Sequence, residues 1–240
     1  MISLNKLNHG KILHNITLKA KKGEFLSISG QNGAGKSTLF KLLAQLEKTQ
    51  TEMNLSYNGR LVKNFTKKEL SKTIGWLGPT SESCFGFTVL EIALMGRYPW
   101  HKGNPQKEDL LKAWKSLEDF GVKCKAHRRL QMLSSGEKKL AELARVFAGE
   151  QDIFILDEPE AHLDLKNTIK IFSFMKKKAN EGKTILIASH HIRLAKTYAH
   201  RVLFLKSGKL IADIPTESKN FNETLAEAFE IKKSEAYALI

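Results

Sequence analysis

Apolar positions along the chain fall into two patterns: short unbroken runs, and residues spaced three and four apart. Glu24-Phe25-Leu26-Ser27-Ile28-Ser29 is a run ending at Gly30 and reads as a buried strand. A helical pattern follows from Lys36 through Leu46. Leu55-Ser56-Tyr57 and Arg60-Leu61-Val62 flank Asn58-Gly59, a strong hairpin signal. Thr88 to Met95 predicts a helix, with Thr88 and Glu91 at capping-box spacing and Gly96 as its stop. Asn104-Pro105 opens another, with Leu110, Trp114 and Leu117 on one face and Gly121 at its end. Leu140, Leu143, Ala144 and Phe147 mark a third amphipathic helix, over 137–147. Then Ile153–Leu156 and Thr184–Ala188 read as buried strands on either side of a helix at 165–180. Val202–Leu205 and Lys209–Ile211 form a second hairpin around Ser207-Gly208. Buried strands alternating with helices imply a parallel sheet in an α/β fold. The helical stretch at roughly 80–148 interrupts the alternation and reads as an inserted subdomain, with no internal repeat or low-complexity linker.

Gly30-Gln31-Asn32-Gly33-Ala34-Gly35-Lys36-Ser37 matches G-x-x-x-x-G-K-[ST] in full, and it lies between a strand and a helix, where phosphate binding requires it. Glycines let such a loop wrap closely around phosphates with N–H groups pointing inward. The helix N-terminus adds positive potential. Lys36 can reach the β- and γ-phosphates, and the Ser37 hydroxyl can ligate Mg²⁺. Further on, the run 153–156 delivers Asp157 and Glu158 to the end of a strand, the place where parallel α/β sheets build their sites. There Asp157 can hold Mg²⁺ through water, and Glu158 can orient and deprotonate an attacking water.

With 240 residues, 42% of them hydrophobic, the chain can bury the core of one ordinary domain. Its 39 Lys+Arg against 25 Asp+Glu suit a polyanionic partner. The lysines are scattered, though, as at Lys21-Lys22, Lys67-Lys68, Lys138-Lys139 and Lys176-Lys177-Lys178, whereas a nucleic-acid stripe would cluster them. Cys84 and Cys124 lie far apart without metal spacing, as expected of reduced cytosolic thiols. No signal region opens the sequence and no apolar run approaches the length of a membrane span. The chain is expected to be soluble by itself and to reach a membrane only through a partner.

Leu133-Ser134-Ser135-Gly136-Glu137 resembles the L-S-G-G-Q signature of ATP-binding cassette (ABC) proteins. The order of phosphate loop, signature, Asp-Glu strand and a His after a later strand is that family's order, and the resemblance covers nearly the whole chain. It implies a P-loop NTPase core with an N-terminal antiparallel β subdomain, together spanning 1–79 and 149–240, and a helical subdomain at 80–148 carrying the signature. It also implies binding and hydrolysis of ATP with Mg²⁺. Gly30, Asn32, Gly33, Ala34, Gly35, Lys36, Ser37 and Thr38 would contact the nucleotide, and Ser37 and Asp157 would hold the metal. Lys36, Glu158 and the switch histidine His190 would be catalytic. Ser134 and Gly136 would complete the ATP site of a second copy, with Asp164 of the D-loop at that interface. His9-Gly10 occupies the place of the family's adenine-stacking Tyr-Gly, Pro79 that of the lid glutamine, Leu140 that of an arginine, and His191 that of an aspartate.

Phe87-Thr88-Val89-Leu90-Glu91, Met95-Gly96-Arg97-Tyr98-Pro99-Trp100 and Leu225-Ala226-Glu227-Ala228-Phe229 are similar to the ATPases of importers for iron–siderophore complexes, haem and cobalamin. That resemblance implies a homodimer bound peripherally to integral-membrane permease subunits on the cytoplasmic side of the cell membrane, indirectly served by a substrate-binding protein, with no nucleic acid partner. Two rivals stand beside it. A soluble cassette acting on ribosomes or nucleic acid would fit the basic balance, but such relatives usually carry two cassettes. A weakly hydrolysing assembly module would fit Pro79 and His9, against which stand Glu158 and His190.

Overall fold

The computed structural model describes residues 1–49, 53–78, 86–101 and 103–238. Two sheets organise them. The first is antiparallel and contains β1 (Ile2–His9), β2 (Leu13–Ala20), β4 (Asn54–Tyr57) and β5 (Arg60–Leu61), in the order β2-β1-β4-β5. The second contains β3 (Phe25–Ser29), β6 (Ile74–Leu77), β7 (Ile153–Asp157), β8 (Thr184–Ala188), β9 (Arg201–Lys206) and β10 (Lys209–Pro215), in the order β10-β9-β3-β8-β7-β6. It is parallel except for the β9–β10 hairpin at its edge. The helices are α1 (Lys36–Leu43), α2 (Lys67–Thr73), α3 (Val89–Met95), α4 (Tyr98–His101), α5 (Lys107–Asp119), α6 (Ser135–Ala148), α7 (Leu165–Asn180), α8 (Ile192–Tyr198), α9 (Phe221–Phe229) and α10 (Lys233–Ala238).

The unbroken apolar runs of β3, β7 and β8 follow from burial on both faces of the second sheet. Leu26, Ile28, Ile153, Ile155, Leu186 and Ala188 join one core with α1 and the antiparallel sheet. Their neighbours Phe25, Phe154, Leu156, Ile185 and Ile187 join the other, with α3, α5, α6 and α7. Phe147 of α6 stacks on Phe154 of β7, with centroids 4.3 Å apart. A third cluster packs α9 through Phe221 and Leu225 against Val202 and Phe204 of β9. Each fully buried Leu, Ile or Phe here contributes roughly 1.5–3 kcal/mol. Among the described residues, no helix is long and apolar enough to cross a membrane.

Several element ends differ from the pattern-based expectation. The helix expected over 36–46 stops at Leu43, because Gln45 turns left-handed at φ 59°. Leu46 N–H then donates to Lys41 O, and Gln45 N–H to Leu42 O, which closes the end as a Schellman motif. The helix expected from Asn104-Pro105 begins at Lys107, with Asp109 accepting from the Gln106 N–H at 3.0 Å. The signature helix begins at Ser135 rather than 137, capped by Ser134. Gly96 follows α3 as expected, but its φ is −62° and not left-handed. What it needs is closeness: a Cβ there would lie 1.8 Å from the Arg145 carbonyl oxygen of α6. Gly96→Ala must therefore push α3 and α6 apart. The expected loss is about 1–3 kcal/mol, measured by urea unfolding, and an unchanged midpoint would contradict this packing.

Candidate functional site

The phosphate-type loop is built between the end of β3 and the start of α1. Gly35 closes it at φ 101°, and a Cβ there would meet Leu13 Cδ2 at 2.8 Å; any L-residue would be strained and crowded at this point. Lys36, the first residue of α1, is 6% exposed. Its Nζ donates to Gly30 O at 2.8 Å and Gln31 O at 3.1 Å, so the ammonium is held inside the loop it serves. Burial lowers its pKa, and the nearby Glu158 and Asp157 charges oppose that shift.

Asp157 ends β7, opposite Ala188 of β8. It is 4% exposed, and neither carboxylate oxygen meets hydrogen-bond geometry with any described residue. Burial raises its pKa, and the neighbouring Glu158 charge adds to this, while the Ser37 hydroxyl, Lys36 and Lys139 counter it. A buried carboxylate so weakly partnered is costly unless a cation completes it. The hard oxygens of Asp157 and Ser37 are the donor type that Mg²⁺ takes, with water filling its other positions. The donor set therefore fits the ion.

Glu158 turns the chain sharply at φ 47°, with its N–H donating to Ala188 O at 3.0 Å. A non-glycine residue in this region carries roughly 1–3 kcal/mol of strain and often marks a working site. Its Oε1 lies 3.0 Å from His190 Nε2, with both side chains half-exposed. Ile12, Asn32, Gly33, Gly35, Lys36, Ser37, Thr38 and Glu158 line one open cavity of about 360 Å³. The structure thus brings together Lys36, Ser37, Asp157, Glu158 and His190, which are widely separated in sequence.

Other residues lie elsewhere. His9 is off the cavity wall: its Nε2 contacts Glu47 Oε1 at 3.0 Å and its ring is 14% exposed. The short turn from His9 to Ile12, closed by Ile12 N–H to His9 O at 3.0 Å, presents Ile12 to the cavity instead. Ser134 Oγ accepts from the Glu137 N–H at 3.3 Å, and Glu137 Oε2 accepts from the Ser134 N–H at 3.1 Å, a capping box that leaves the N-terminus of α6 at the surface. Gly136 lets the backbone at His162 come close, since a Cβ would sit 3.0 Å from His162 O. Asp164 is exposed and caps α7, accepting from the Asn167 N–H at 2.7 Å. Leu140, in the place of an arginine, is buried in the core. Its neighbour Lys139 is a buried cation that sequence reading missed; burial lowers its pKa, opposed by Glu142, Glu160, Asp157 and Glu158. Pro79, with Thr80, Ser81, Glu82 and Cys84, lies outside the described residues.

Residues 13–161 match the family model described as ABC transporter. The chain is 32% identical over 91% of its length to the hemin import ATP-binding protein HmuV of Streptomyces coelicolor, covering 78% of that protein. It is 29% identical over 95% of its length to the petrobactin import ATP-binding protein YclP of Bacillus subtilis, covering 91% of it. The dimeric structure of the bacterial ABC transporter cassette MJ0796 superposes with a TM-score of 0.81 at 27% identity, over 91% of this chain and all of that one. With its phosphate loop and Glu158 on one cavity and Asp157 and His190 beside them, this chain belongs to the ABC transporter family as an ATP-binding, ATP-hydrolysing cassette.

Proposed function

We propose that the chain is the ATPase subunit of an importer for an iron–siderophore, haem or cobalamin-type solute. It would work as a homodimer bound to integral-membrane permease subunits on the cytoplasmic face of the membrane, with a substrate-binding protein delivering the solute. The observation that carries the enzymatic part is that Lys36, Ser37 and Glu158 line one cavity, with His190 against Glu158 and the Asp157 charge beside Lys36. The import names of HmuV and YclP support the solute class. The rival acting on ribosomes or nucleic acid has no comparable observation behind it.

In this reading, the backbone of residues 30–38 and the Lys36 ammonium hold the triphosphate. On binding, Lys36 exchanges its bonds to Gly30 O and Gln31 O for phosphate oxygens. Ser37 and Asp157 would hold Mg²⁺, which neutralises phosphate charge when bound. Glu158 orients the attacking water and takes its proton. His190, against Glu158, contacts the γ-phosphate. Residues 80–148 form the helical subdomain, inserted in a core of 1–79 and 149–240. Ser134 and Gly136 reach the γ-phosphate of the second copy, and Asp164 lies at that interface. The exposed N-terminus of α6 suits this contact with an anion.

Ser134→Arg tests the second copy's part. A bulky cation at the cap should block ATP-dependent dimerisation and turnover, while nucleotide still binds at Lys36 and Ser37. Light scattering in a hydrolysis-deficient background, with and without ATP, reads it. An unchanged ATP-induced dimer would remove Ser134 from the interface.

A further inference from the structure

The turn after β7 carries another glutamate, one that the mechanism above does not use. Glu160 is 6% exposed, and its Oε1 accepts a hydrogen bond from the Ser189 hydroxyl at 2.5 Å. Its Oε2 is buried and meets strict hydrogen-bond geometry with no described group, although the backbone N–H groups of Glu160 and His190 lie close enough to favour its charge. Keeping a half-satisfied carboxylate inside a protein costs stability, and such a group in a native structure calls for an explanation.

Ser189 is held from several sides. Its N–H donates to Ile28 O at 3.3 Å, and its carbonyl accepts from Ser29 Oγ at 3.0 Å. Its Oγ also accepts from the His191 N–H at 3.0 Å. One buried serine therefore joins the end of β3, the turn after β7 and the start of α8. At the N-cap of α8, the His191 side chain makes no capping bond, so the Ser189 hydroxyl anchors that helix start. His190 lies between Ser189 and His191. Two contacts thus link the segments: an exposed one between Glu158 and His190, and a buried one between Glu160 and Ser189.

We propose that Glu160 is a positioning residue: through Ser189 it holds the backbone of the histidine segment so that the His190 imidazole stays against Glu158. Its effect on turnover rests on the roles assigned above to Glu158 and His190, whereas its effect on geometry does not. A carboxylate suits the task because it accepts a short, strong bond from a hydroxyl whose remaining lone pairs serve His191. The bond lies out of water, where it is strengthened and its geometry is fixed.

The test compares Glu160→Ala and Ser189→Ala with Glu160→Gln, whose amide oxygen can still accept from Ser189. In both alanine variants kcat should fall about tenfold or more, the scale of loss when a group is misplaced by a change away from the chemistry. KM for ATP and ADP affinity should stay close to wild type, because the phosphate loop is untouched. Glu160→Gln should keep most of the rate. The ¹⁵N imidazole resonance of His190, assigned with His190→Gln, should move in the alanine variants and stay in place in Glu160→Gln. An unmoved resonance in folded alanine variants overturns the proposal. A moved resonance with wild-type kcat leaves the brace standing and removes the Glu158–His190 pair from the reaction. Should Glu160→Ala fail to fold, Ser189→Ala, which deletes a single hydroxyl, carries the same test.

Discussion

Glu158→Gln is expected to reduce steady-state ATP hydrolysis by roughly 10²–10⁴-fold, the usual worth of a general base. The substitution keeps the size of the side chain and its reach toward His190 Nε2, now 3.0 Å away. It removes the negative charge and, with it, the ability to take a proton. Nucleotide affinity should be retained or rise, since a negative charge near the phosphates disappears while Lys36 and Ser37 remain. The product of this uncoupling is an ATP-loaded protein that cannot turn over. Phosphate release, measured beside equilibrium binding of a fluorescent nucleotide, separates the two effects. Normal turnover in the variant would show that another group, or the phosphate itself, accepts the proton. A joint loss of binding and turnover would make Glu158 a structural turn residue, whose left-handed backbone matters more than its carboxylate.

The assembled site shows which parts of such a protein can be read from its sequence. Strands β3, β7 and β8 were legible because both faces are buried, so their apolar runs are unbroken. In the antiparallel sheet the β4–β5 hairpin was legible from Asn58-Gly59, but β1 and β2 were not. β1 and β2 are out of register between Leu4 and Leu7 and between Leu7 and His9, with Lys6 and Asn15 left-handed, and bulges break the two-residue alternation. Helix α2 buries no residue at all and leaves no apolar stripe to find. Within β6, Gly75 argues against a strand by composition, yet a Cβ there would strike Phe154 Cδ1 at 2.7 Å. The site residues that were legible are those in linear motifs: Lys36 and Ser37 in the loop, Asp157 and Glu158 after a strand. Ile12, Lys139 and Glu160 were not, because their importance comes from what the fold places beside them. Glu160 looks like one more acid in a turn until Ser189, from a different strand end, is seen 2.5 Å away.

The other large effect expected is on stability, from a buried ion pair far from the phosphates. Arg97, just after α3, is 2% exposed; its Nε donates to Asp109 Oδ1 of α5 at 3.0 Å. Its guanidinium also lies 4.5 Å from the Trp100 ring centroid, and Nη1 reaches Ala148 O at 3.3 Å, at the end of α6. Glu150 Oε2 stands 3.7 Å from the same nitrogen and 2.7 Å from Lys112 Nζ. One side chain thus ties α3, α5 and the end of α6 together. Removing its close partner leaves the buried cation with only the more distant, exposed Glu150 carboxylate, so Asp109→Ala should cost about 3–5 kcal/mol, read as a shift of the urea midpoint. Replacing both charges, as Arg97→Met with Asp109→Leu, should recover part of that loss, because the desolvation cost disappears along with the attraction. The pair also has a pH signature. Burial alone would raise the Asp109 pKa, but the Gln106 N–H and Arg97 outweigh it and leave the pKa below its ordinary value. A carboxylate depressed in the folded state contributes stability that is fully present above its unfolded pKa of about 3.9. That contribution is lost as pH falls from there through the folded value. Wild-type stability should therefore drop on acidification below about pH 4 more steeply than that of the Arg97→Met/Asp109→Leu variant. Parallel acid profiles for the two proteins would mean that the pair holds the helices by shape rather than by charge.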